Sequence, residues 1–356
     1  MLNLNRIRRA SITSGFVTVL VLLPIQVSFA QQRVNPPIDV SGHLDVRAVE
    51  GNVAVGNNDF QIGQFVLDLS SDVSENITAA MEVAYASEAR DVVLDEAYAE
   101  WRFTDRKRPR RYDPIGMLQT GIIVGQFDVP FGLDWRSYSS IDRHLVSVPL
   151  VIASTHRGWN DVGVQFFGKT TWANWAVYAV NGFGTSPALR LGETSYSLPP
   201  LAAADVVAGA SSSELVPDEA FGGRAGLFLN DNIEIGTSFA AGYGAGSDQQ
   251  SRMFAFDASA TFTDFALKGE FISRRQDLPA GREFDLGYYV NGLYQWGRQF
   301  GVLRGDAYRP DGGPTDFAAS AGAGYIVNAY AQLRVEYRLA EGSSNDAIIL
   351  QTAIAF

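Results

Sequence analysis

Serine, histidine and aspartate crowd one stretch of this sequence: Ser139, Ser140, Asp142, His144 and Ser147, with Ser154 and His156 further on. These residue types serve acyl transfer and water attack, where an imidazole takes a proton from a hydroxyl or a water. Such catalysis needs the partners to converge in space, and adjacency within a loop does not make a triad. Only three histidines and no cysteine are present, so thiolate chemistry, disulfides and a lipidated cysteine anchor are excluded. No glycine-rich phosphate loop and no zinc-ligand spacing stands out. The sequence therefore gives no ground for an enzyme, a metal or a cofactor.

The stretch holding these residues, Gly125–Trp159, is too long for a turn, and connections of this length are usually functional. Its first half mixes Asp128, Asp134, Arg136, Asp142, Arg143 and His144 with Trp135 and Tyr138, and Arg157 lies near its end. Its second half, Leu145–Ile152, is too apolar to stand free in water. Such a segment wants an apolar wall on one side and water on the other. The expected arrangement is a loop folded into the mouth of a barrel, with Asp128, Asp134, Arg136, Asp142, Arg143, His144 and Arg157 at the constriction. An ordinary surface loop docked on a neighbour is the alternative.

The elements that would position this loop have a period of two. Glu96, Tyr98, Glu100 and Arg102 alternate with Ala97, Ala99, Trp101 and Phe103, and Gln332, Arg334, Glu336 and Arg338 alternate with Leu333, Val335, Tyr337 and Leu339. Alternation at 180° per residue means strands with one polar and one apolar face. The strands run about ten residues, the span of a tilted membrane strand. Aromatic pairs such as Trp101/Phe103, Phe262/Phe265 and Tyr294/Trp296 sit at strand ends, as interfacial girdles require.

Short connections (Val73–Asn76, Lys169–Thr171, Asn230–Asn232, Thr263–Asp264, Gly297–Gln299, Val327–Asn328) alternate with longer ones (Glu50–Asp59, Asp128–Asn160, Gly184–Ala220, Gly244–Ser251, Arg274–Arg282, Pro310–Asp316, Ala340–Asn345). Short periplasmic turns and long external loops are the rule for outer-membrane barrels. The basic Thr104–Ile115 breaks it and reads as a solvated turn. The expected fold is all-β: a transmembrane antiparallel β-barrel of about sixteen strands, wide enough for an aqueous channel. Asp128–Asn160 is then the third external loop.

The N-terminus fits export to that membrane. Arg6, Arg8 and Arg9 precede an apolar run from Phe16 to Val27, and Ser28-Phe29-Ala30 offers a cleavage site. Residues 1–30 read as a signal peptide and 31–356 as the barrel of a Gram-negative outer-membrane protein. Losing those three arginines takes the net charge from −11 to −14, a balance that argues against nucleic acid as a partner. The terminal Ile348–Phe356 strand resembles the signal that the outer-membrane assembly machinery reads.

With the polar faces inward, Glu96, Glu100, Arg102, Lys268, Glu270, Arg304, Asp306, Arg334, Glu336 and Arg338 are candidate pore-lining residues. The fuller census adds Asp45, Asp68, Glu82, Glu234, Asp257, Glu283 and Asp285 against Arg47 and Arg224. Acid outnumbers base, so the mean field should favour cations or be weakly selective. Neighbours of opposite sign also suit simple cross-strand pairing.

Val124-Gly125-Gln126-Phe127-Asp128-Val129-Pro130-Phe131-Gly132-Leu133-Asp134, followed by Ser139-Ser140-x-Asp142, resembles the signature of the phosphate-selective porin O/P family. The resemblance implies a sixteen-stranded, trimeric outer-membrane porin whose third loop enters the pore. It implies passive diffusion of small hydrophilic solutes or ions, with phosphate and other anions among them. The family's anion selectivity rests on arginines and pore lysines, and this chain has only Lys107, Lys169 and Lys268. A plugged barrel serving as an adhesin or structural protein, or a barrel hydrolase, would share the strand pattern.

Overall fold

The computed structural model describes residues 36–51, 60–86, 91–105, 116–137, 139–156, 158–183, 219–243, 250–278, 281–340 and 346–356. Among them are sixteen strands: β1 (Asp39–Gly51), β2 (Phe60–Ser74), β3 (Ile77–Ala86), β4 (Asp91–Asp105), β5 (Met117–Asp128), β6 (Asn160–Thr170), β7 (Ala173–Val180) and β8 (Ala220–Asn230) form the first half. The second half is β9 (Ile233–Tyr243), β10 (Gln250–Thr261), β11 (Phe265–Leu278), β12 (Gly281–Trp296), β13 (Gln299–Arg309), β14 (Asp316–Asn328), β15 (Ala331–Ala340) and β16 (Ala347–Ala355). Each strand pairs antiparallel with its sequence neighbours, and β1 closes on β16 with Leu44 opposite Ile354. Closure removes every sheet edge, so no strand leaves its backbone groups unpaired along a side.

The alternation read from the sequence separates two faces. On β15, Leu333, Val335, Tyr337 and Leu339 are 39–46% exposed, while Arg334, Glu336 and Arg338 are at most 6% exposed. On β10, Phe254 and Phe256 point outward while Ala255 and Asp257 are buried. The apolar face is thus outside and the polar face inside, the inverse of a soluble core. The aromatic pairs lie outward at strand ends: Trp101 and Phe103 meet edge-on at 5.3 Å, and Tyr294 stacks on Trp296 at 5.7 Å.

The inner wall has two characters. Around β7–β14, toward the end of the barrel where β5 leads into β6, it carries Tyr178, Val180, Met253, Ile272, Tyr289 and Tyr308, all buried. Along β2–β4 it carries half-buried Asp68, Glu82, Glu96 and Glu100 instead.

Two expectations need correction. Arg274–Arg282 is not a long connection: β11 runs on to Leu278 and β12 starts at Gly281. Arg274 is drawn into the ladder because it donates to Asp285 across the pair, Nε to Oδ2 at 2.9 Å. Glu283 shares the face of Asp285 and stands exposed near the β12 end. The strict period fails on β4, where a bulge between β3 and β4 leaves Asp95 as an extra residue between Leu94 and Glu96. The N-terminal 1–30, most of the basic Thr104–Ile115 turn, nearly all of the Gly184–Ala220 connection, and Arg157 lie outside the described residues, as does the Arg136 side chain.

Candidate functional site

The residues between β5 and β6 have no strand partner, yet much of their backbone is buried. Buried N–H and C=O groups must find partners, and here side chains of the inner wall supply them. The segment leaves β5 at Asp128, whose N–H donates to Glu96 Oε1 at 3.1 Å. Asn160 Nδ2 donates back to Asp128 Oδ1 at 3.2 Å, and Val129 N–H reaches Trp159 O at 2.9 Å. The two stems are thereby zipped at the wall.

Beyond the stem, the Phe131-Gly132-Leu133 turn docks on β9 and β11. Gly132 N–H donates to Ser238 Oγ at 3.0 Å and Leu133 N–H to Glu270 Oε2 at 3.4 Å. Gly132 has φ +67°, and a Cβ there would overlap the Glu270 carboxylate. Asp134, buried, starts a short 3-10 turn (Asp134–Ser137) and lies 3.8 Å from Lys268 Nζ.

The chain then reaches β1, β2 and β15. Ser139 Oγ lies 3.3 Å from His43 Nε2, and Ser140 N–H donates to Gln64 Oε1 at 2.8 Å. Arg334 donates to the carbonyls of Ser140 and Arg143, and Gln332 to that of Ile141.

The apolar half is anchored by an acid–base cluster. Val146 and Ser147 N–H groups both donate to Glu336 Oε2, at 2.6 and 2.9 Å. Arg304 donates to Ser147 O at 2.6 Å and Ser147 Oγ at 2.7 Å, while its Nε binds Asp306 at 2.8 Å. Asp306 in turn accepts from Leu150 N–H at 3.2 Å. Carboxylates thus take the segment's amides and a guanidinium takes its carbonyls, which suits charges this buried. Between these anchors α1 (Leu150–Thr155) packs against β12 and β13. Val148, Leu150, Val151 and Ile152 join Phe131 and the apolar wall residues in one buried cluster.

The candidate residues therefore divide. Glu96, Glu270, Arg304, Asp306, Arg334 and Glu336 bind the segment, and Lys268 faces its Asp134. Arg338 is buried on the same face of β15. Glu100 and Arg102 pair with each other at 2.6 Å. Asp142 is exposed and Arg143 half-buried. His144 meets Phe300 edge-on at 4.9 Å, and burial, then Arg334 and Lys268, lower its pKa to about 4. His156 lies edge-on to Phe131 at 4.9 Å, with its pKa also lowered to about 4 by burial. The Ser147 hydroxyl binds Glu336 and Arg304 rather than forming a Ser–His pair. Among the described residues no group of His, Asp and Glu is arranged to hold a metal ion.

Sequence reasoning placed Gln332 on the polar face without giving it a partner, and it missed Gln64 and Ser238 because it counted only charges on the inner face. It missed buried Asp95 because the bulge displaces it from the period. Gln126 marks that bulge, donating to Leu94 O and Asp95 O at 3.2 and 2.7 Å.

One further inner-wall feature starts at Glu96, beside the stem of the docked segment, and runs away from it. Asp68 lies directly opposite Glu82, and Glu82 directly opposite Glu96, on adjacent strands.

The fold has close counterparts among solved structures. The outer membrane channel DcaP of Acinetobacter baumannii superposes with a TM-score of 0.62 at 11% identity, covering 92% of this chain and 99% of that one. Salmonella typhi OmpF, in complex with daunomycin, gives 0.60 at 10% identity over 90% and 98% of the two chains. An anion-selective porin from Comamonas acidovorans gives 0.59 at 10% identity over 90% and 99%. No family model matches the sequence, and comparison with curated proteins finds no relative. The barrel has the porin fold.

Proposed function

We propose that this chain is an outer-membrane porin, exported with cleavage after Ala30, that lets small hydrophilic solutes or ions diffuse through a water-filled barrel. The observation that carries the reading is the docking of the described residues between β5 and β6 on inward-facing Ser238, Glu270, Arg304, Asp306 and Glu336. A segment held there narrows the lumen without closing it, because Asp68, Glu82, Glu96 and Glu100 on β2–β4 keep partial exposure. The constriction lies between the segment and that acid-rich wall. Fixed carboxylates there raise the local cation concentration within a Debye length, about 8–10 Å at ordinary salt. Cation preference is therefore favoured over the phosphate preference implied by the O/P signature, because Arg304 and Arg334 are engaged by the segment and Arg224 by Asp257 and Glu234. Structures of this fold include a channel and a porin by their descriptions, and OmpT of Vibrio cholerae is described in a trimer form, which supports a homotrimer of conducting barrels.

Single-channel recording tests the reading. The intact barrel gives steady conductance, and deleting Trp135–His144 raises it while the Glu336 anchor remains. A plugged adhesin or structural barrel gives none, and equal conductance in the folded deletion variant places the segment outside the conducting path.

A further inference from the structure

The inner wall grips the two halves of the docked segment unequally. At residues 146–152, Glu336 takes two amides and the Ser147 hydroxyl, and Asp306 takes the Leu150 amide and Arg304. Among the described residues, no buried side-chain polar atom of Glu336, Asp306, Arg304 or Ser147 lacks a hydrogen-bond partner. Val146, Val148, Leu150, Val151 and Ile152 are at most 8% exposed, so apolar burial adds to the hold.

Residues 139–143 rest on β1, β2 and β15 with less to keep them there. Arg334 donates to the Ser140 and Arg143 carbonyls, Gln332 donates to that of Ile141, and Gln64 accepts from the Ser140 amide. Yet among the described residues Arg334 Nε, Ser140 Oγ, Gln351 Oε1 and Asp45 Oδ2 are buried without a hydrogen-bond partner. These four belong together: Gln351 lies directly opposite Arg334 on the neighbouring strand, and its amide nitrogen binds Asp45 Oδ1 at 2.7 Å. A buried donor or acceptor left unmatched carries a desolvation cost that contact with water removes. Ile141 is the only apolar side chain of residues 139–143, and it is half-buried. Lifting this stretch therefore hydrates unmatched groups at little loss of apolar burial, which is not true of residues 146–152.

Lifting also changes the charge shown to the lumen. In the docked state residues 139–143 expose Asp142, while their carbonyls cover the Arg334 guanidinium. Once uncovered, that guanidinium meets passing ions, in the same inner row as Arg47 two strands away across Gln351. Fixed positive charge beside the path raises the local anion concentration. We propose that residues 139–143 are a lid over Arg334, and that Arg334 is a selectivity-determining residue exposed only when the lid lifts. The proposal rests on the porin reading of the barrel.

The chain has no cysteine, so introduced single thiols report without background. S140C and V148C barrels folded in detergent are treated with benzyl methanethiosulfonate, and labelling is followed by mass spectrometry. S140C should react at least roughly tenfold faster than V148C, about the factor that one unmatched buried group contributes. The benzyl group keeps the lid from seating again, so the reversal potential of labelled S140C in a salt gradient should move toward anions. The same labelling of S140C/R334Q should leave the reversal potential in place. Equal labelling rates at 140 and 148 would overturn the lid, and an equal shift in both backgrounds would overturn the role of Arg334. If S140C/R334Q does not fold, salt decides for the charge. A shift in S140C that persists near 1 M, where the screening length is roughly 3 Å, overturns it as well. Labelling rates in detergent do not depend on current. A barrel that conducts none overturns the porin reading and leaves the lid to be judged by those rates.

Discussion

Glu336 holds Ser147 twice: the Ser147 N–H reaches Oε2 at 2.9 Å and the Ser147 hydroxyl donates to Oε1. The hydroxyl oxygen also accepts from Arg304 Nη2 at 2.7 Å, so a side chain of the segment between β5 and β6 bridges a buried acid and a buried base. Ser147→Ala removes that bridge and is expected to cost about 1–3 kcal/mol, the penalty for buried polar groups left unmatched. Glu336→Ala also strands two backbone amides and the Arg304 charge, so its cost should approach about 3–5 kcal/mol. Glu336→Gln, which keeps an oxygen for the amides, falls between. Urea unfolding of the barrel gives the ranking, and open-channel current noise should follow it. Quiet current in the folded Glu336→Ala barrel would show that this anchor does not hold the segment.

Face assignment on β15 yields a second test. Val335, midway along β15, is 39% exposed on the outward face, and Val335→Arg is expected to cost about 2–4 kcal/mol near the bilayer midplane. Gln332 points inward and donates to the Ile141 carbonyl. Arginine at 332 keeps a donor there, so Gln332→Arg should cost far less. The reverse order in the same titrations would place the strand one residue out of register.

What could be read in advance follows from range. The faces of β15 were legible because side chains alternate within a strand, a property of adjacent residues. The docking of Val146–Ile152 on an apolar wall was legible from composition, although the short helix α1 was not: its Leu-Val-Ile run reads as well for a strand. Which charges meet water was hidden, because Glu336 is 190 residues from the Val146 amide it accepts. A carboxylate on the inner face looks the same in sequence whether a solute or a backbone amide lies beside it. The β4 bulge was hidden too, since a single extra residue leaves no compositional mark.

The row Asp68, Glu82, Glu96 sets like charges directly opposite across three strands, an arrangement that destabilises a sheet by about 0.2–1 kcal/mol per pair. Glu82→Gln is therefore expected to raise barrel stability slightly while moving the reversal potential in a salt gradient toward anions. A selectivity role requires both shifts to shrink as salt screens the charges, with the Debye length falling to roughly 3 Å at 1 M. A stability gain with an unmoved reversal potential would leave this row as a structural oddity outside the ion path.

The histidines of the segment make its docking sensitive to acid. Burial lowers the pKa of His156 from 6.5 to about 4, and burial with Arg334 and Lys268 does the same for His144. In the undocked segment both imidazoles meet water and titrate near 6.5. Between these values the undocked form binds more protons, so docking is favoured fully above about pH 6.5 and weakens as pH falls toward 4. Around His156 stand Phe131 in edge contact, Thr155 Oγ1 at 2.9 Å from Nδ1, and the more distant charges of Asp134, which favours the imidazolium, and Arg274, which opposes it. Current noise or conductance should therefore rise on acidification through that window. His156→Phe removes one titrating group while keeping an aromatic ring against Phe131, so its pH dependence should be shallower. A profile identical to that of the unaltered barrel, together with an equally flat response in a His144 variant, would show that protonation of these rings is not coupled to the position of the segment.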